Sequence, residues 1–99
     1  MILKGKGRSK GKVRVTFALE STPAEAILVA GDFNGWAAGT PLKRQKDGGW
    51  KAALELAAGA RYQFRYLIDG ARWENDPAAD GYVPNPFGTE NGVVDLAAA

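Results

Sequence analysis

Two tryptophans that follow turns are the side chains of this sequence best suited to chemistry. Trp36 ends the stretch GDFNGW, directly after the hydrophobic run AILVA, and Trp73 comes shortly after the turn pair Asp69 and Gly70. A flat indole in such a place is either a plug for the hydrophobic core or an exposed surface for a ligand. The position of Trp36 beyond a cluster of turn residues, outside any alternating strand, favours the exposed surface.

The composition excludes most catalytic chemistry. The 99 residues include no histidine and no cysteine, which rules out Ser-His and Cys-His dyads, thiolate metal sites and disulfides. A glycosidase needs two carboxylates about 5 to 10 Å apart, but Asp69, Asp76 and Asp80 all stand in turn contexts. The acids also lack the spacing of a calcium loop. We therefore predict no catalytic residue, no metal site and no cofactor.

Positive charge is concentrated at the N-terminus. Six of the thirteen basic residues lie in the first fourteen positions with no acid among them, which leaves the remainder with seven bases, eleven acids and a net charge of −4. Lysine and glycine alternate in KGKGRSKGK, a composition that buries little apolar surface. We expect residues 1–11 to form a flexible basic arm and residues 12–99 to form the folded domain.

Beyond the arm, the hydrophobic pattern has a period of two. VRVTFAL, WKAALEL and RYQFRYLI each place apolar residues on one face, AILVA is a buried-strand run, and VVDL supplies a final strand. We expect Tyr62, Phe64 and Tyr66 to be core residues and Trp50 to pack in the core or at its edge. The segment DPAADGYVPNPFGTENG is too rich in proline, glycine and asparagine for regular structure. About seven short strands predict an all-β fold, an antiparallel sandwich.

The register of one hairpin decides which way Trp73 faces. A two-residue loop of Asp69 and Gly70 pairs Tyr66 with Trp73 and turns the indole into the core. A three-residue loop that also includes the preceding isoleucine pairs Arg65 with Trp73 and turns both side chains outward. We predict the three-residue loop.

Five motifs, in this order along the chain, resemble one family: GDFNGW, DGGW, YQFRYLIDG, RWENDP and FGTENGVVDL. They are similar to the glycogen-binding domain of the AMP-activated protein kinase β subunit and to the N-terminal modules of isoamylases and glycogen branching enzymes, which together form carbohydrate-binding module family 48. The resemblance covers about residues 13–96. It implies an immunoglobulin-like antiparallel β-sandwich of the early-set type that binds α-1,4-linked glucan without cleaving it.

The resemblance also implies a site. In the family, the tryptophan that ends the GDFNGW motif and the tryptophan after the DG turn stack on glucose rings, which assigns these roles to Trp36 and Trp73. A basic residue of the YQFRY strand bonds sugar hydroxyls, here Arg65. The GTEN segment closes the site, with Thr89 and Asn91 bonding hydroxyls.

Sugar chemistry fits these side chains independently. One face of a pyranose presents axial C–H groups that a flat indole can cover, while hydroxyls at the rim reach polar side chains. Phe87 stands where relatives place an apolar residue against the ligand. Stacking one sugar on each indole removes about 100 Å² of apolar surface and contributes roughly 2.5 kcal/mol. Two such contacts correspond to a Kd on the order of 0.1 to 1 mM.

Two other functional classes stay open. The first is a regulatory or structural interaction domain that docks to a partner protein, such as a separate kinase or a glycogen- or starch-metabolising protein. The second is nucleic-acid binding through the basic arm, which the acidic body opposes. The start of the chain lacks the apolar region of a secretory signal, and no segment approaches about 20 apolar residues. We therefore expect a cytoplasmic location without a membrane partner.

Overall fold

Two antiparallel sheets pack face to face in the computed structural model, which describes residues 1–36 and 39–98. Within these residues the strands are β1 (Ile2–Lys6), β2 (Lys12–Leu19), β3 (Ile27–Gly31), β4 (Thr40–Pro41), β5 (Lys43–Arg44), β6 (Trp50–Ala57), β7 (Arg61–Ile68), β8 (Arg72–Glu74), β9 (Gly81–Pro84) and β10 (Glu90–Asp95). The first sheet has the order β1-β2-β6-β5, and the second has the order β4-β3-β7-β10-β9, with β8 paired to β7. The prediction of an all-β sandwich is confirmed, with more strands than the expected seven because β1 and β9 are additional and β4 and β5 are separate short strands.

The core lies between the sheets and is built by the strands with the clearest alternation. Phe17 of β2 lies 5.0 Å from Phe64 of β7 between ring centroids, and Phe64 lies 5.7 Å from Tyr66. The buried cluster consists of Val15, Phe17, Ile27, Val29, Leu42, Trp50, Leu56, Phe64, Tyr66, Ile68, Val94 and Leu96. Phe64 and Tyr66, predicted as core, are in this cluster, as is Trp50, predicted for the core or its edge; Tyr62 is half-buried against it.

A buried carboxylate anchors the chain after β8. Asp76 is fully buried, and its Oδ2 accepts a hydrogen bond of 2.7 Å from the Tyr66 hydroxyl, while its Oδ1 accepts one of 2.8 Å from the Ala78 N–H. Burial and then the neighbouring carboxylate raise the pKa of Tyr66 well above its ordinary value, so the hydroxyl stays a donor. Asp76 is therefore a buried anchor as well as a turn residue.

The N-terminal residues differ from the expected flexible arm. Ile2–Lys6 form β1, which pairs along its whole length with β2. Ile2 packs against the core, and Lys4 Nζ lies 2.7 Å from Oδ2 of Asp80, the residue before β9. The alternating lysine and glycine residues do not show the apolar pattern of a strand. An edge strand can form without that pattern, because its backbone hydrogen bonds to one neighbour hold it in place.

The segment expected to be irregular also contains a strand. β9 pairs with β10, and β10 begins at Glu90, three residues before the predicted VVDL strand. Proline is compatible with β9 because this strand lies at the edge of the sheet, where one row of backbone groups needs no partner. Asn85 and the following residues up to Thr89 thus become a hairpin loop.

No helix in the two described ranges has the length and hydrophobicity needed to cross a membrane.

Candidate functional site

An open cavity of about 770 Å³ lies on the outer side of the second sheet. It is lined by residues from four places in the chain: Trp36, Arg65, Trp73, Asn85, Pro86, Phe87, Thr89 and Asn91. All six residues predicted for the site line this one cavity. Asn85 and Pro86 were not predicted.

The turn after β3 determines where Trp36 lies. The Asn34 side chain accepts a 3.0 Å hydrogen bond from the Gly31 N–H and donates one of 3.0 Å to the Val29 carbonyl. Gly35 and Trp36 then both take positive φ angles, 68° and 63°. Glycine is needed at position 31 because a Cβ there would collide with the neighbouring β7 backbone. The GDFNGW stretch therefore forms a turn that ends with Trp36 in the lining of the cavity.

A carboxylate holds the indole of Trp36. Its Nε1–H donates a hydrogen bond of 2.9 Å to Asp32 Oδ1. The other oxygen, Asp32 Oδ2, accepts a bond of 2.8 Å from the backbone N–H of Gln63 on β7. Trp36 is half-buried in this position.

The loop between β7 and β8 differs from both expected registers. Asp69 and Gly70 have φ angles of 54° and 67°, and the Ala71 N–H donates a 3.1 Å bond to the Ile68 carbonyl. Ile68 then pairs with Arg72, so the three-residue loop consists of Asp69, Gly70 and Ala71. A loop of this length was predicted, but its residues lie one position further along the chain.

This register places Trp73 opposite Leu67 of β7, so the predicted pairing with Arg65 is wrong. Leu67 and Arg65 are two positions apart on one strand and therefore share a face, which leaves the indole of Trp73 on the outer face as expected. Trp73 is 41% exposed. Its ring centroid lies 6.5 Å from that of Trp36, with the two ring planes inclined at 56°.

Arg65 lies between the second tryptophan and the hairpin loop. Its Nη2 is 3.4 Å from the Trp73 carbonyl oxygen, and its Nη1 is 3.4 Å from Thr89 Oγ1. Both distances are long for hydrogen bonds. Among the described residues the buried Nε has no hydrogen-bond partner. Each Nη nitrogen carries a second N–H, so the guanidinium keeps donor capacity for a further group.

Asn85 organises the loop between β9 and β10. Its Oδ1 accepts bonds of 3.0 Å from the Phe87 N–H and 3.2 Å from the Thr89 N–H. Its Nδ2 donates to Thr89 Oγ1 at 2.7 Å and to Asn91 Oδ1 at 3.1 Å. The loop presents the Phe87 side chain, 88% exposed, at its tip.

The lining of the cavity carries a single positive charge. Arg65 is the one charged residue among those that line it, and none of the lining residues is a carboxylate. The described residues contain no group of three or more acidic, histidine or cysteine side chains that could hold a metal ion. Aromatic faces, amides and a guanidinium can bind a neutral polyhydroxylated ligand by stacking and hydrogen bonding.

A family model described as the glycogen recognition site of AMP-activated protein kinase matches residues 13–99. The chain belongs to this family of glycogen recognition sites. The membership confirms the predicted family, carbohydrate-binding module family 48, and its early-set, immunoglobulin-like sandwich. It also confirms the predicted general function, because the members of this family are domains that bind glycogen or starch.

Three curated relatives resemble this glycogen recognition domain over part of their length. The chain is 31% identical over 70 residues to Protein FLOURY ENDOSPERM 6, chloroplastic, of Oryza sativa subsp. japonica, covering 71% of the chain and 13% of that protein. It is 32% identical over 54 residues to Protein PTST homolog 2, chloroplastic, of Arabidopsis thaliana, covering 54% of the chain and 10% of that protein. It is 36% identical over 69 residues to 1,4-alpha-glucan branching enzyme GlgB 2 of Xanthomonas campestris pv. campestris, covering 66% of the chain and 10% of that enzyme.

The glycogen recognition domain therefore spans about a tenth of the length of these relatives. The branching enzyme shares only this non-catalytic module with the chain. Two of the relatives are named as chloroplastic proteins. The expected cytoplasmic location stays a prediction.

Proposed function

We propose that the cavity on the second sheet is the glucan-binding site of this domain and that the chain binds α-1,4-linked glucan without cleaving it. The observation that supports the proposal most strongly is the pair of indoles on one flank of the sandwich, 6.5 Å apart and inclined at 56°. Trp36 and Trp73 would each stack on one of two neighbouring glucose units.

The inclination of the rings favours a curved ligand. Consecutive units of an α-1,4-linked chain turn relative to each other, so two inclined indoles can each meet a sugar face. Consecutive units of a β-1,4-linked chain lie in one extended ribbon, which suits aromatic rings that are coplanar. We therefore expect the site to prefer maltooligosaccharides over cellooligosaccharides of the same length.

Polar groups around the two indoles are placed to bond hydroxyls. Arg65 has unused donors, and Thr89 lies beside it on the loop. Asn91 already donates to Gln63 Oε1 at 3.1 Å and accepts from Asn85, so one N–H and one lone pair of its amide are left for a ligand. Phe87 extends the apolar surface at the mouth of the cavity.

The proposal is tested by Trp36→Ala in an NMR titration with maltoheptaose. In the native protein we expect the indole resonances of Trp36 and Trp73 to shift while Trp50 stays unchanged, with a Kd on the order of 0.1 to 1 mM. Trp36→Ala should weaken binding by about 2 kcal/mol, roughly 30-fold, because one stacking surface is lost. The fold should be retained because Trp36 lies outside the core cluster.

Maltohexaose and cellohexaose, titrated in the same way, compare an α-1,4-linked and a β-1,4-linked ligand of equal length. Equal affinity for the two oligosaccharides would contradict the preference for a curved chain. Unchanged maltoheptaose binding by a folded Trp36→Ala protein would overturn the site assignment. Docking to a kinase or to a glycogen- or starch-metabolising protein stays a prediction. The expectation that the acidic body opposes nucleic-acid binding stays a prediction too.

A further inference from the structure

We propose that Asp32 is a positioning residue that holds the indole of Trp36 in the orientation needed for stacking. The inference rests on the proposed function, since it assigns a role to a residue that supports the glucan-binding site without lining it. Asp32 belongs to the GDFNGW stretch, but nothing in the alternation or turn pattern of the sequence distinguishes its carboxylate from an ordinary turn residue.

The carboxylate of Asp32 joins three parts of the molecule. Asp32 is the first residue of the short 3₁₀ turn Asp32–Asn34. Its Oδ1 accepts a hydrogen bond of 2.9 Å from the Trp36 indole N–H, and its Oδ2 accepts one of 2.8 Å from the Gln63 backbone N–H. Hydrogen bonds to an ionised acceptor are stronger than those between neutral groups. The bond to β7 thus fixes the carboxylate, and the carboxylate fixes the indole.

Trp36 needs such support because its backbone is in a sparsely populated conformation. A φ of 63° is unusual for a residue with a bulky side chain, and such conformations persist only when the surroundings impose them. The turn supplies one constraint through the bond of 3.1 Å from the Trp36 N–H to the Gly31 carbonyl. That bond holds the backbone only, and Asp32 holds the side chain.

The bond to Asp32 also limits what Trp36 can offer a ligand. An indole has a single hydrogen-bond donor, and here Asp32 takes it. Trp36 therefore presents its ring face alone, and the polar residues that line the cavity must make the bonds to sugar hydroxyls. This division makes the contribution of Trp36 depend on ring orientation.

The test is a double-mutant cycle between Asp32 and the indole N–H. The variants are Asp32→Ala, Trp36→Phe, which keeps an aromatic ring but has no N–H, and the double substitution. Asp32→Ala should raise the Kd for maltoheptaose about 2- to 10-fold, the penalty for ordering one side chain on binding. In the Trp36→Phe background the same change should alter the Kd less than about 2-fold, because no indole bond is left to lose.

The ligand-free protein gives a second readout. In Asp32→Ala the Trp36 indole N–H should exchange faster with solvent, and its resonance should move to higher field. Asp32→Asn should give an intermediate result and covers the case of an unfolded alanine variant. Its Oδ1 can still accept from the indole, whereas its amide N–H group faces the Gln63 N–H. Asp47→Ala is the matched control, since Asp47 is also an exposed turn carboxylate that accepts a backbone N–H, that of Gly49 at 2.8 Å, but does not line the cavity.

Two outcomes overturn the inference: unchanged exchange of the Trp36 indole in both Asp32 variants, or an equal loss of affinity from Asp32→Ala in the native and Trp36→Phe backgrounds. The second outcome would mean that Asp32 acts only on the general structure of the loop. Failure of the native protein to bind maltoheptaose would instead overturn the proposed function. In that case faster indole exchange in Asp32→Ala still supports the positioning role.

Discussion

Trp50 and Trp73 lie in opposite surroundings within one small domain. Trp50, between the sheets, is 4% exposed, its indole N–H donates to the Thr22 carbonyl at 3.1 Å, and the Arg44 guanidinium lies 4.9 Å from its ring centroid. Trp73, on the outside of the second sheet, is 41% exposed and shares a cavity with Trp36. The protein buries the ring of Trp50 and accepts its N–H, whereas the rings of Trp36 and Trp73 keep exposed surface.

The two regions are built by different local rules. Trp50 is in phase with Leu54 and Leu56 on a long strand, so the two-residue period alone directs it to the core. Trp36 follows the 3₁₀ turn Asp32–Asn34 and Gly35 and has a positive φ itself, and Trp73 follows a loop with positive φ angles. Strand periodicity thus builds the stable interior, and turn geometry builds the exposed site.

The largest effect that would sharpen this comparison is on stability. Trp50→Ala should lower the free energy of unfolding by about 3 to 5 kcal/mol, because it removes a large buried side chain and leaves a cavity. Trp73→Ala is the matched change on the surface and should lower it by less than about 1 kcal/mol. Urea unfolding followed by far-UV circular dichroism measures both. Equal destabilisation by the two substitutions would break the distinction between a core and a surface tryptophan.

The alternating strands could be predicted from the sequence, but the edge strands could not. β2, β6 and β7 follow the period-two pattern because each has one face in the core. β1 and β9 carry little such pattern, since each lies at the edge of a sheet and is held mainly by backbone pairing with one neighbour. The local sequence predicts which side chains are buried, but it says little about backbone pairing with a strand that is distant in the sequence.

Most residues that line the candidate site could be predicted from the sequence, but the residues that hold them in place could not. The register of Trp73 was predicted incorrectly, yet its face was predicted correctly, because Leu67 and Arg65 lie on the same side of β7. Asp32 and Asn85 were missed as organisers of the site, since their hydrogen bonds depend on turn conformations that form only in the folded chain. The NP pair in VPNPFG was an available signal for Asn85, because asparagine before proline favours a turn held by the asparagine side chain.

A smaller effect is expected from the most exposed aromatic residue. Phe87 is 88% exposed, so Phe87→Ala should change the free energy of unfolding by less than about 0.5 kcal/mol. If Phe87 covers part of a bound glucan, the same substitution should weaken maltoheptaose binding by about 1 kcal/mol, roughly 5-fold. Isothermal titration calorimetry and urea unfolding give the two values. A loss of stability without a loss of affinity would move Phe87 from the binding region to the structural one.

The smallest effect concerns Asp95, which lies in neither region and provides a control for both. The Ala97 N–H, at 2.9 Å, and the Arg61 guanidinium, at 3.0 Å, lower the pKa of the Asp95 carboxyl below its ordinary value of 3.8. A group whose pKa is lower in the folded state stabilises the fold above its unfolded pKa, and this contribution is lost as the pH falls.

Asp95→Asn should therefore make the loss of stability between about pH 5 and pH 2 shallower, as measured by urea unfolding at each pH. Asp95 is half-exposed and does not line the cavity, so the change should be small and maltoheptaose binding at neutral pH should not alter. If the free energy of unfolding falls with pH in parallel for Asp95→Asn and the native protein, the Asp95 contacts add nothing to stability. A change in affinity for maltoheptaose would link Asp95 to the binding region.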